Sequence, residues 1–306
     1  MRGAPRKEHR MAARLLLSLA IAVTCAVTLS ASAPAITGGH FDGSAHPYVG
    51  LADNGSVACS GTLLSPTVML TAAHCFAGST SSFGTNSVTG VPIVRASFDP
   101  NLINTPPAQR VWRYGSFYAD PAFALGAGPG VLGFAVHDVA LIVFTAQGCA
   151  VPAGQSGDCG PVPPALTLGQ YGHLPTQGRV DQLANGAPID IVGFGLQNFT
   201  RGGGPCNGKC APRPGDAFTR FGAKTTLVAS NDRIAATFLK LHSNDGGVCF
   251  GDSGGPNLVA GTSTVLAVNS FGADAVCSGT AYSYRVDTRD ALTWIASAIQ
   301  AHGASL

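Results

Sequence analysis

Glutamate occurs once in this 306-residue sequence, at Glu8, and lysine only four times, while charged residues of all kinds reach 11%. The side chains that usually cover exposed helix faces are therefore nearly missing. Gly (40) and Pro (20) abound beside Val, Thr and Ser, a composition of strands and turns. It excludes a coiled coil, and the 45% hydrophobic share excludes a charged disordered tail. Long apolar runs are equally scarce. The one present extends from Leu15 to about Leu29, behind Arg2, Arg6, Lys7, Arg10 and Arg14 and ahead of Ala31-Ser32-Ala33-Pro34-Ala35. A basic flank, a short apolar run and small residues make residues 1–35 a secretory signal peptide rather than a membrane span. A secreted chain with no membrane attachment after signal removal is expected. A basic excess is lacking too, because the formal +2 resides in that leader. Without its five basic and one acidic residues, 13 basic side chains face 15 acidic ones, a formal charge of −2. Nucleic-acid binding then has no electrostatic support, and a monomer is expected.

Of nine cysteines, Cys25 falls in the leader and eight remain. An even number in an exported chain predicts four disulfides. Loop-closure entropy favours the close partners Cys149 with Cys159 and Cys206 with Cys210, leaving Cys59, Cys75, Cys249 and Cys277. Zinc on Cys206 and Cys210 is the competing reading, but no second ligand pair lies nearby and the destination is oxidising.

Residues 36–306 suffice for one large domain, and no Pro/Ser linker or charge run divides them. Short apolar segments recur between turn signals at Thr62–Leu64, Val68–Leu70, Val139–Phe144, Ile189–Val192 and Thr264–Val268. They predict strands of a sandwich or barrel. Helical period is convincing only at the end, where Ala291, Leu292, Ile295 and Ile299 share a face, Asp287 or Thr288 is placed to cap, and Gly303 follows the C-terminus. Residues 77–130 and 200–216, dense in Gly and Pro, read as surface insertions.

Gly251-Asp252-Ser253-Gly254-Gly255-Pro256 carries the chemistry. A serine followed by two glycines can sit on a tight turn whose amides are exposed, presenting a nucleophile beside an oxyanion hole. A serine hydroxyl attacks at neutral pH only with a base, and the base needs an orienting group. Thr71-Ala72-Ala73-His74-Cys75 supplies a histidine after a strand, and His137-Asp138-Val139-Ala140-Leu141 a carboxylate opening one.

The order His74, Asp138, Ser253 in these motifs resembles the trypsin and chymotrypsin family of serine proteases. Ile36-Thr37-Gly38-Gly39 resembles that family's mature N-terminus. Cys59-Ser60-Gly61-Thr62-Leu63 is similar to the strand before its histidine, Gly193-Phe194-Gly195 to its mid-chain glycine motif, and Ser270-Phe271-Gly272 to its substrate-binding strand. The resemblance implies an all-β fold of two packed six-stranded antiparallel β-barrels with a C-terminal α-helix, spanning residues 36–306. It implies disulfides Cys59–Cys75 and Cys249–Cys277, an oxyanion hole from the amides of Gly251 and Ser253, and substrate contacts from Ser270, Phe271 and Gly272. Asp252 would bind the ammonium of Ile36. The expected function is a secreted serine endopeptidase acting on polypeptides through an acyl-enzyme, without cofactor or metal.

By the same resemblance Gly247 would form the base of the specificity pocket, between walls at Gly272 and Ala281. With no carboxylate there, cleavage after Phe, Tyr, Leu or Met is expected unless Asp245 or Asp274 reaches in from the rim. Small residues at Ala33 and Ala35 suit signal peptidase, so export would free Ile36 directly. Three features depart from the family: the long interval from His74 to Asp138, Thr37 for valine, and the pairs Cys149–Cys159 and Cys206–Cys210. His137 reads as a partly exposed neighbour, and His40, His46, His173 and His242 as structural. Two rivals stand beside the peptidase. One is a non-catalytic binding or adhesion module on the same fold. The other, an esterase of another fold, would need its Asp and His after the serine, where His302 is the only histidine.

Overall fold

The structure, a computed structural model, describes residues 36, 39–126, 135–196, 199–200, 211–212, 218–228, 233–242, 247–272, 277 and 280–306. Strands dominate these residues. In chain order they are β1 (His40–Phe41), β2 (Val49–Asp53), β3 (Ala58–Ser65), β4 (Val68–Thr71), β5 (Ile93–Ser97), β6 (Arg113–Ala119), β7 (Ala124–Leu125), β8 (Ala135–Val136) and β9 (Ala140–Val143). There follow β10 (Asp158–Cys159), β11 (Pro188–Gly193), β12 (Phe199–Thr200), β13 (Ala211–Pro212), β14 (Phe221–Leu227), β15 (Phe238–His242), β16 (Pro256–Val259), β17 (Val265–Gly272) and β18 (Thr280–Arg285). Two α-helices lie among them, α1 (Arg233–Thr237) and α2 (Arg289–Ala301).

Each set of strands closes on itself. In the first barrel the order is β6-β5-β2-β3-β4-β9, and β9 pairs back with β6, Ser116 opposite Val143. The second runs β14-β11-β16-β17-β18-β15 and closes where β15 meets β14, His242 opposite Thr226. Both are six-stranded and antiparallel, and closure removes the open edges a free sheet would present. β10 joins the first barrel as a parallel extra strand beside β6, and β1 joins the second beside β14. His40 and Phe41 thus belong with the second barrel.

The local sequence explains the pattern of burial. Val68–Thr71 and Ala140–Val143 are buried at every position, as continuous apolar runs at the centre of a domain must be. The later part of β14 alternates instead, turning Lys224 and Thr226 outward between buried neighbours. In α2, Ala291, Ile295, Ala298 and Ile299 are buried, Leu292 is half-buried, and the helix packs against β9. Its first turn is capped by Thr288, whose Oγ1 accepts from the Ala291 amide at 3.3 Å.

The expectation that residues 77–130 form an insertion is corrected: β5 and β6 are both barrel staves. Their short runs, Ile93-Val94 and Tyr114–Phe117, are hidden in sequence by the Gly- and Pro-rich connections on either side. Of residues 200–216, also read as an insertion, only 200 and 211–212 are described.

One buried cation ties the barrels together. Arg220, 1% exposed, precedes β14 and donates Nε to Asp42 Oδ2 at 3.0 Å and Nη1 to the carbonyls of Val49 (2.9 Å) and Phe98 (3.1 Å). Asp42 follows β1, whereas Val49 and Phe98 belong to the first barrel. Asp42 also meets His46 Nδ1 at 2.6 Å. Burial by itself would raise the Asp42 carboxyl, but His46 and the Arg220 charge outweigh it and hold it below the usual range.

Candidate active site

His74 sits in the single 3-10 turn Ala73–Cys75 that follows β4, and Cys75 is bonded to Cys59 of β3. The disulfide pins the turn to the barrel. Asp138 lies just before β9 and is fully buried. Its Oδ2 is 2.7 Å from His74 Nδ1, and its Oδ1 accepts the His74 backbone amide at 2.9 Å, so one carboxylate fixes both the ring and the backbone of the histidine. Ser270 Oγ also donates to Asp138 Oδ2. Burial alone would raise the Asp138 carboxyl, but the hydrogen bond and charge of His74, with the Ser270 bond, hold it low. Asp138 is therefore an anion, able to stabilise a cationic imidazole.

Ser270 reaches this position through a bulge. Across β17 and β18, Asn269 faces Ser283 while Phe271 faces Tyr282, so Ser270 is the extra residue, and its hydroxyl is re-aimed at Asp138. Ser270 still lines the cleft.

Ser253 lies on a turn held from both barrels. Its carbonyl accepts from the Ser60 amide of β3 at 2.8 Å. Two glycines make the turn possible. Gly251 has φ +96°, and a Cβ there would come within 2.8 Å of Gly195 Cα. Gly254 has φ +78°, and its Cβ would fall 2.1 Å from Thr71 Oγ1. Among the described residues, neither the Gly251 nor the Ser253 amide donates to a protein acceptor. His74 and Ser253 line one cavity of about 680 Å³, with no hydrogen bond between them among the described residues. Contacts of this kind often tighten only when substrate binds.

The cavity wall is apolar. Val57, Leu125, Val248, Phe250 and Phe271 contribute to it, and among its described residues His74 is the one ionisable side chain. Leu125, from the β7–β8 hairpin between His74 and Asp138, is 57% exposed at this wall. Gly247, expected at the base of the specificity pocket, is not among the lining residues; Val248 and Cys249 form that wall, beside Cys277, to which Cys249 is bonded. Gly272 does line it. Ala281 is corrected: it pairs with Gly272 and Leu241 but is 2% exposed, turned into the second barrel's core. Asp245, Asp274, Cys206 and Cys210 lie outside the described residues. Cys149 and Cys159 are bonded, tethering β10.

Asp252 is fully buried, accepting the amides of Gly195 and Cys249 at 2.8 Å each. No cationic side chain pairs with it among the described residues. Burial therefore raises its carboxyl to about 7 despite those two bonds. Ile36 is buried in the core of the same barrel and has φ +48°, a left-handed conformation that strains a β-branched residue. His137, beside the site, also has positive φ and approaches Asp120 Oδ2 at 3.3 Å. Cys59, His74 and Cys75 bring ligand-type atoms within 4.8 Å of one another, but the two sulfurs are already bonded to each other.

Closed twin barrels with this helix have close counterparts among solved structures. Human heparin binding protein matches with TM-score 0.55 at 18% identity, over 88% of this chain and 99% of that one. The structure titled HL collagenase matches with TM-score 0.53 at 19% identity, over 86% and 96%. The chain has the trypsin fold. The trypsin family model matches residues 36–96, the stretch that carries Ile36, Cys59, His74 and Cys75. No curated protein matches the chain. Among the described residues of this trypsin-like chain, no helix is long and apolar enough to cross a membrane.

Sequence reasoning missed Asn269, Ser60, Val57, Phe250 and Leu125. For Asn269 a signal existed, a polar residue closing the apolar run Val265–Val268.

Proposed function

We propose that this trypsin-like chain is a secreted serine endopeptidase in which His74, Asp138 and Ser253 form the catalytic triad. The observation that carries the reading is the buried, anionic Asp138 holding His74 Nδ1 at 2.7 Å in the cleft that also contains Ser253. With Nδ1 occupied, the other ring nitrogen is left to act as base. His74 takes the Ser253 proton as Oγ attacks a peptide carbonyl, then returns it to the departing amine. Asp138 keeps the imidazole in the required tautomer. The amides of Gly251 and Ser253 stabilise the oxyanion, each worth about 3–4 kcal/mol in comparable sites. The apolar wall favours Phe, Tyr, Leu or Met before the scissile bond, because among the described residues a buried Arg or Lys would meet no carboxylate there.

Activation follows from Ile36 and Asp252. In the uncut chain Asp252 is a buried carboxyl with no cation among the described residues, and Ile36 holds a strained φ. Cleavage after Ala35 removes that torsion altogether and creates an ammonium at the buried end of the same barrel. Signal removal then activates the enzyme in one event.

A binding module is the second reading, favoured by the neighbour named for binding heparin. The −2 charge of residues 36–306 argues against a polyanionic ligand of that kind. A fluorophosphonate probe separates the two. The peptidase is labelled at Ser253, and Ser253→Ala loses labelling and at least ~10⁴-fold in turnover. An unlabelled, folded wild-type protein would leave the binding module as the reading.

A further inference from the structure

We propose that Asn269 is a positioning residue for the nucleophile turn, holding the Ser253 amide aimed into the cleft as an oxyanion donor. The proposal rests on the peptidase reading above.

Asn269 is 1% exposed and makes three contacts to the residues flanking Ser253. Its carbonyl accepts the Gly254 amide at 2.8 Å, its amide donates to the Gly255 carbonyl at 2.9 Å, and its Nδ2 donates to the Asp252 carbonyl at 3.1 Å. The third bond matters most. The Asp252 carbonyl and the Ser253 N–H belong to one planar peptide unit and point in opposite directions across it. Fixing the oxygen inward therefore fixes the N–H outward. Gly255 donates to the same oxygen at 2.9 Å, so the carbonyl has two donors and the peptide is held against flipping.

The side-chain orientation of Asn269 is itself determined. Its Oδ1 accepts Asn257 Nδ2 at 2.7 Å and Ser283 Oγ at 3.3 Å, which leaves Nδ2 for the Asp252 carbonyl. Ser283 is its direct cross-strand partner on β18, and Asn257 lies diagonally across from it on β16. Asn257 and Ser283 are both fully buried, and Asn257 Oδ1 has no partner among the described residues. Three polar side chains in a barrel core, one imperfectly paired, are a net burden on folding compared with apolar packing. Apart from a 3.5 Å bond from Asn257 Nδ2 to the Ala267 carbonyl within the sheet, the side-chain bonds of this network among the described residues lead to the turn that carries Ser253. Orientation of the oxyanion donor is the function that this arrangement serves.

The test compares wild type with Asn269→Leu, and with the triple variant Asn257→Leu, Asn269→Leu, Ser283→Ala, which leaves no buried donor of the network unpaired if the single variant fails to fold. Two quantities are read on folded protein: the second-order rate of fluorophosphonate labelling, and kcat and KM on the peptide that wild type cleaves best. Labelling and kcat are expected to fall together by about tenfold or more with KM within about twofold, the signature of an interaction made in the transition state. A purely packing role would lower the unfolding midpoint and leave both rates intact. A labelled wild type beside a folded variant that labels and turns over within about threefold of it overturns the role of Asn269 alone. A wild type that neither labels nor hydrolyses overturns the peptidase reading, and this role with it.

Discussion

At Asp252, three facts meet: complete burial, two amide donors and no cationic partner among the described residues. The direction of its titration is a stability statement about the uncut chain. The carboxyl rises from 3.8 when unfolded to about 7 when folded, so the folded state binds more protons between those values. Its contribution is complete below about pH 4 and is lost as pH climbs through about 7. An uncut form retaining Ala33–Ala35 should therefore lose stability over this window relative to its own Asp252→Asn variant, seen as a falling urea midpoint. Cutting after Ala35 should abolish the difference, because the Ile36 ammonium then compensates the charge. If the new ammonium pairs with Asp252, its contribution would run in the same sense, present while the amine is protonated and fading in alkali. Identical pH profiles for the uncut protein and its Asp252→Asn variant would contradict the account.

Elements place chemistry where no motif announces it. The β7–β8 hairpin was visible in sequence only as a long interval between His74 and Asp138. In the fold it sets Leu125 on the wall of the cleft. That leucine keeps its side chain largely in water, so covering it with substrate is worth about 1 kcal/mol. Leu125→Ser should raise KM about fivefold for peptides carrying an apolar residue near the scissile bond and leave kcat unchanged, since such contacts act equally on ground and transition states. A change in kcat with constant KM would place the hairpin in the chemistry instead. The C-terminal helix illustrates the legible case. Its apolar spacing, a cap at Asp287 or Thr288, which the structure assigns to Thr288, and Gly303 beyond its end are all local and were readable from neighbours within a few residues.

The two barrels meet through a serine. Ser60, on β3 of the first barrel, donates Oγ to the Gly251 carbonyl and accepts the Phe194 amide with the same oxygen, both at 2.9 Å, from partners 191 and 134 residues away. Its own amide holds the Ser253 carbonyl. Ser60→Ala would strand the buried Phe194 amide and remove the Oγ tie to the Gly251 carbonyl, leaving the backbone bond from residue 60 to Ser253 as the remaining link of that residue to the nucleophile turn. A loss of about 1–3 kcal/mol is expected in denaturant unfolding, together with slower fluorophosphonate labelling. Unchanged stability and labelling would show that the barrels align the site without this bridge.

What sequence alone determined here is local and chemical. Turn glycines around Ser253, the apolar runs of β4, β9 and β11, the pair Cys149–Cys159 and the cap of α2 all rest on interactions within a few residues, and the order of His74, Asp138 and Ser253 pointed by resemblance to the fold. Tertiary structure decided the rest. β5 and β6 exist as strands because barrel closure supplies their partners. Ser270 faces Asp138 because of a bulge set by pairing with β18. Asn269 and Ser60 gain their meaning only when segments far apart in the chain are packed into one core. The pKa of Asp252 is likewise a property of its burial, and burial is decided by closure of the second barrel rather than by any stretch of neighbouring residues.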